Sequence, residues 1–251
     1  TALVLAEFCT PGGSRSSLED LGIIEVGYSK NLTELPSIAG LSEDLQAGII
    51  RFVLDAMRSN RAITMPSGIK RTDDFYWGHY AQADRYYALE GHRFSLIPSA
   101  TQSGYRLNRF VHVLRDRLGL ENWNAILCQA WEALKSDPEE FGMRTIDGEP
   151  NTLVVDHRSI RLRLPDKEAP VYQCTNCGTV SRWNLEGSCL KWNCKGNMAK
   201  IDPEVWGKRI KQKHYHSTYL RKDTIPTLIA REHTAALSVD LKEEIEADFK
   251  K

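Results

Sequence analysis

Net charge is the first thing this sequence lacks. Its 33 Lys and Arg are matched by 33 Asp and Glu, so no global field draws the chain to nucleic acid or to a membrane. Any basic surface must be local. Long apolar runs are missing too. The opening TALVLAEFC has no basic flank and too short an apolar stretch for a signal peptide or a membrane span, so a cytoplasmic protein with no membrane partner is expected. There is no initiator Met, and the chain stops at Phe249-Lys250-Lys251 inside a helical pattern; a piece of something longer is expected. Neither a G-x-x-x-x-G-K-[ST] phosphate loop nor a D-E-x-[HD] magnesium box occurs. Gly12-Gly13 is followed by no Lys-Ser or Lys-Thr pair, and Glu139-Glu140 follow Pro138 in a loop. This chain is therefore expected to hydrolyse no ATP, and no residue of it is assigned a catalytic role.

Cysteine is scarce, six in 251 residues, but four of the six are gathered in YQCTNCGTVSRWNLEGSCLKWNCKGN. Cys174 and Cys177 form a C-x2-C pair, and Cys189 and Cys194 a C-x4-C pair eleven residues later. Two short knuckles at this distance suit a tetrahedral Zn²⁺ held by four thiolates, with Gly178 and Gly196 letting the backbone turn behind each pair. Two disulfides are the plain alternative, weakened because nothing marks the chain as secreted. Four thiolates close the coordination sphere, so the metal is structural and leaves no position for a reactive water. Zinc binding of about 10–16 kcal/mol in finger-like peptides rivals the stability of a whole domain, so the ribbon is expected to melt without metal. Cys9 and Cys128 stand alone and are not expected to be ligands.

Apolar content of 41% allows real cores, and the length allows one large domain or two to three small ones. After a turn at Pro11-Gly12-Gly13, Gly22 to Val26 reads as a strand. Ser42 is a candidate N-cap for an amphipathic helix to about Ser59, with Leu45, Ile49, Ile50, Val53, Leu54 and Met57 at spacings of three and four. FYWGHYAQADRYY, 75–87, has no clear period and reads as an aromatic core patch before a base-stacking surface. Two further stripes follow, Leu107, Phe110, Val111, Leu114, Leu118 and then Trp123, Ile126, Leu127, Ala130, Trp131, Leu134. The first helix carries Arg106, Arg109, Arg115 and Arg117 on its outer face. Strands at 143–146, 152–156 and 159–164, the last alternating Ile160, Leu162, Leu164 with arginines, complete the region. Helices followed by a hairpin suggest a winged-helix arrangement in which Arg106 and Arg109 face DNA; a solvated arginine face is the equal alternative.

Beyond the ribbon lies the most basic window, Lys208, Arg209, Lys211, Lys213, His214 and His216, running on to Arg221 and Lys222 without an acid. Trp206, Tyr215 and Tyr219 are interleaved. Cations for phosphates beside aromatic faces for bases suit a nucleic-acid path, although charge runs are commonly solvated surface. His214-x-His216, with His233, offers a metal pair without an acidic partner, and a hydrolase built on His214, His216 and Glu232 lacks a nucleophile. The closing stretch AREHTAALS, then LKEEIEADFKK, resembles the His-containing element in the second RecA-like domain of superfamily-2 DEAD/DEAH-box helicases. The resemblance is to the large bacterial enzymes of DNA repair and antiphage defence, of the mitomycin-repair, DISARM and Druantia type. It implies that His233 and Thr234 belong to a loop approaching the nucleic-acid backbone, and that ATP and Mg²⁺ serve only a helicase parent. The arginine-finger motif of that family is missing here.

The expected fold is α+β and multidomain: a helical, winged-helix-like region at 1–165, a four-cysteine zinc ribbon at 166–205, and a basic connector opening a RecA-like segment at 206–251. The expected function is nucleic-acid binding, of DNA first, as an accessory region that works beside the remaining helicase domains. A zinc-stabilised module that docks a partner of a repair or defence complex is the rival. Within the last segment, Thr227 to Ala230 is expected to leave an unpaired strand edge.

Overall fold

In the computed structural model the described residues are 2–9, 17–29, 32, 37–38, 40–69, 85–91, 94–98, 108–166, 168–191 and 194–212. They form a mixed α+β structure with three small sheets. The chain divides into two compact units, Thr1–Pro203 and Glu204–Lys251.

The first unit is built around helix α2, Glu43–Ser59, which follows a short α1 at Ala2–Phe8 and strand β1 at Glu25–Tyr28. The Ser42 hydroxyl accepts the Leu45 amide at 3.3 Å, and Glu43 and Asp44 lie in the first turn, where the helix dipole favours anions. Of the predicted stripe, Ile49, Ile50, Val53, Leu54 and Met57 are fully buried and Leu45 is half-buried, and Phe52 joins the core beside them. At the far end Arg58 is buried as well. It donates to the Phe8 carbonyl and to Glu19 Oε1 and Asp55 Oδ1, while Tyr28 Oη donates to Asp55 Oδ1. These bonds tie α1 and the 17–24 segment to α2.

After β2, Tyr87–Ala88, comes the arginine-bearing helix. Helix α3 spans only Arg109–Val111 and runs on as a π-helical stretch, His112–Arg117, closed by Leu118 N donating to Val113 O at 3.0 Å. The apolar stripe predicts a plain α-helix; the structure widens its turn, and Arg109 and Arg117 at its two ends both bond the ribbon. Helix α4, Trp123–Ser136, buries Ile126, Leu127, Ala130, Trp131 and Leu134 and ends before Pro138.

Strands β3, Met143–Ile146, and β4, Glu149–Val155, form the expected hairpin about Asp147-Gly148, with Gly148 at φ +82. Strand β2 pairs with the other edge of β4. Strand β5, Ile160–Arg163, leaves this sheet and pairs antiparallel with β1, Val26 opposite Leu162. The turn between β4 and β5 is held by the buried Asp156, whose carboxylate accepts from Arg158 N and Nη2 and from Arg144 Nε. The predicted strand at Gly22–Val26 thus lies later, at 25–28, because Gly22 takes φ +64 in a turn.

Residues 75–84 of the aromatic run lie outside the described residues. At its end Tyr87 is a core residue, packed against Phe94 and Phe110. Of the second unit the described part is helix α5, which spans Pro203–Gln212 from the boundary onward.

Candidate metal centre

Three strands build the ribbon: β6, Val171–Cys174, flanked by β7, Val180–Ser181, and β8, Met198–Ile201. Cys174 ends β6 and Cys177 follows in the turn, where Gly178 takes φ +72. Cys189 follows a second turn at Glu186-Gly187, with φ of 45 and 69. Cys194 opens the last approach to β8.

The four Sγ atoms lie within 4.8 Å of one another, with Cys174–Cys194 at 3.5 Å and Cys177–Cys189 at 3.7 Å. A tetrahedron with metal–sulfur bonds of about 2.3 Å has sulfur edges of about 3.8 Å. The cage therefore has the dimensions of a tetrathiolate site, and all six cysteines of the chain are free thiols. Backbone amides point at the sulfurs: Asn176 N and Cys177 N at Cys174 Sγ, 3.4 and 3.5 Å, and Gly196 N at Cys194 Sγ, 3.4 Å. Such donors favour thiolates. Gly196 has no room for a side chain, since a Cβ there would stand 2.4 Å from Cys174 Sγ and 2.7 Å from Asn176 Cβ.

Cys174, Cys189 and Cys194 are buried and Cys177 is exposed. Burial works against ionisation of Cys177, but hydrogen bonds with Thr179, Cys194 and Cys174 together outweigh it and hold the thiol at about 6. Burial pushes the Cys189 thiol well up. A divalent ion ionises its coordinating thiols outright, and with four sulfurs the sphere is closed. The four sulfurs are placed to bind a metal ion in a closed sphere, an arrangement consistent with a structural metal that leaves no open position for chemistry.

The ribbon is bolted to the helical body by arginines. Arg117 Nη1 donates to Lys195 O at 2.8 Å, and its Nη2 to Gly196 O at 2.7 Å and Asn197 Oδ1 at 2.8 Å. Arg109 Nε donates to Leu190 O at 3.0 Å, its guanidinium over the Phe52 ring; burial lowers its pKa. From the ribbon side, Arg182 Nε reaches Gly22 O at 2.8 Å, and Trp183 lies beneath Arg51 at 4.7 Å. Leu185 is 2% exposed and belongs to the main core. It fits there because α2 presents Gly48, where a Cβ would meet Leu185 Cδ1 at 2.6 Å.

Of the expected site residues, the four cysteines are brought together. Arg109 has the internal partners just given. Lys208 is exposed on α5, and Arg209 and Lys211 lie on the same helix. Arg106, Lys213, His214, His216, Arg221, His233 and Thr234 lie outside the described residues, as does the 227–230 edge. Arg117, Arg182 and Gly48 join the site with no motif to mark them, because their partners are backbone carbonyls and a leucine methyl. Cys9 and Cys128 stand apart from the cage: Cys9 is in the main core, where burial raises its pKa to about 12. No helix among the described residues is long and apolar enough to cross a membrane. Comparison with family models, with curated proteins and with solved structures finds no match for this chain.

Proposed function

We propose that this chain engages nucleic acid as a zinc-stabilised accessory region of an ATP-dependent DNA helicase or translocase. The observation that carries the reading is a closed four-sulfur cage followed directly in sequence by the basic window from Lys208 to Lys222. The ion is zinc: four thiolates at tetrahedral spacing match its preferred structural site. Its role is to fix the ribbon, while cations of the window hold phosphates. The helicase parent, in repair or antiphage defence, follows from the resemblance of the closing segment. The winged-helix character of the helical region belongs to the same proposal.

Salt dependence of DNA binding tests it. Replacing Lys208, Arg209, Lys211 and Lys213 by Ala should weaken binding and flatten its salt slope by about 0.7–0.9 for each phosphate no longer neutralised. Unchanged affinity and slope leave the window as solvated surface. One feature favours the rival docking module: Leu162 and Leu164 are 39% and 75% exposed on β5 and the residues after it. Binding to a protein partner through such a ledge would be nearly indifferent to salt.

A further inference from the structure

In the ribbon sheet, Tyr172 of the middle strand β6 lies directly opposite Lys200 of β8 and Ser181 of β7. Residues directly paired across antiparallel strands share a face, so an aromatic ring stands between an ammonium and a small residue in one row. Lys200 is exposed, and Tyr172 and Ser181 are half-buried. The adjacent positions differ: Val171 is fully buried and Val180 nearly so. The Tyr172 row is thus partly open, while Cys174, two residues along on the same face of β6, is buried in the cage. Among the described residues no other aromatic ring packs on Tyr172. Back along the chain toward the second knuckle, Asn197, Lys195 and Lys191 are exposed. Arg117 fixes the carbonyls of Lys195 and Gly196 and the side chain of Asn197, so this margin is held rigid before any ligand arrives.

We infer that the Tyr172 row is a stacking platform for an unpaired nucleic-acid base, with Lys200 placed for the neighbouring phosphate and Lys195 continuing the backbone track. The inference rests on the nucleic-acid reading above and narrows it. A ring lying in a sheet face meets the flat side of a base only when that base is out of a duplex, so the ligand class is single-stranded nucleic acid. Stacking is indifferent to base identity, and the platform therefore carries no sequence preference. DNA and RNA share this chemistry.

Fluorescence anisotropy of the full 251-residue chain, with labelled oligothymidylate, oligouridylate and a duplex of equal length, tests it. Single strands should bind more tightly than the duplex. Tyr172→Ala should weaken single-strand binding by about tenfold or more, while Tyr172→Phe keeps it within about twofold, because any π-face stacks. Lys200→Ala should flatten the salt slope by about 0.7. Metal content, measured alongside, reports whether each variant keeps its ribbon. Should Tyr172→Ala lose metal, Lys200→Glu replaces it as the probe, and undiminished affinity there overturns the inference. So does a preference for duplex, or unchanged binding in a metal-loaded Tyr172→Ala. If the basic-window variant loses binding while Tyr172→Ala does not, this inference falls alone; if the unsubstituted chain binds no nucleic acid at all, the broader reading falls with it. Retained binding to only one of the two single strands assigns the sugar and upholds the platform.

Discussion

Arg117 is the residue on which the ribbon's second knuckle hangs. Its guanidinium meets three acceptors between Lys195 and Asn197. Arg117→Ala should lower stability by about 1–3 kcal/mol, measured by urea unfolding. Arg117→Lys should recover little of it, since a single ammonium cannot span the acceptors that a planar fork reaches. Gly196 is constrained differently. A methyl group there collides with Cys174 Sγ and Asn176, so Gly196→Ala should weaken metal retention against a chelator by about tenfold or more. Asp156 gives the pH dependence. Hydrogen bonds from Arg158, then Arg144, hold its carboxyl well below the usual carboxylate range against the opposing effect of burial. A depressed folded pKa means stability that is complete above about 4, the unfolded value, and lost as pH falls below it. Asp156→Asn should therefore destabilise the protein near neutrality and cost progressively less as the pH is lowered through this range. An equal cost at both ends of the titration would show the carboxylate's charge to be irrelevant. At this scale the cysteines were legible because ligand spacing is written in side chains. Arg117 was legible as a charge but not as a bolt, because main-chain carbonyls carry no residue identity.

Among the elements, α2 could be read almost residue by residue: a capping serine, two acids and an apolar stripe left little choice. The π-helical stretch after α3 could not, since Phe110, Val111 and Leu114 fit an α-helical stripe until the turn is widened. Alternation marked β5 as a strand but not its partner; β1 lies more than a hundred residues away, and a short two-stranded pairing leaves no pattern in either strand alone. Gly48 of α2, which no pattern in the sequence singles out, is where Leu185 of the ribbon docks. Leu185→Ala should cost about 2–4 kcal/mol, because the side chain fills a core site between ribbon and helix. Gly48→Ala, by contrast, should be close to neutral. A gain of about 1 kcal/mol in helix propensity is set against pushing aside the end of one leucine side chain. Thermal melts of the two variants separate a packing interface from mere helix propensity: a large loss only for Leu185→Ala supports the former.

For the molecule as a whole, the first compact unit includes both the helical body and the ribbon, so metal at the cage braces more than its own four ligands. The knuckles present the carbonyls that Arg109 and Arg117 hold, and Leu185 between them enters the main core. Chelation should therefore lower the melting temperature of the helical signal, not only loosen the ribbon. Balanced net charge made the global electrostatics readable at once, while the local basic window and the Tyr172–Lys200 row emerge only from sequence position and strand register. The central claim is that Cys174, Cys177, Cys189 and Cys194 together hold one structural zinc. Elemental analysis of the chain purified without chelator tests it most directly: about one equivalent of zinc per chain is predicted, and less than about half an equivalent, or a content unaffected by Cys174→Ser, would contradict it.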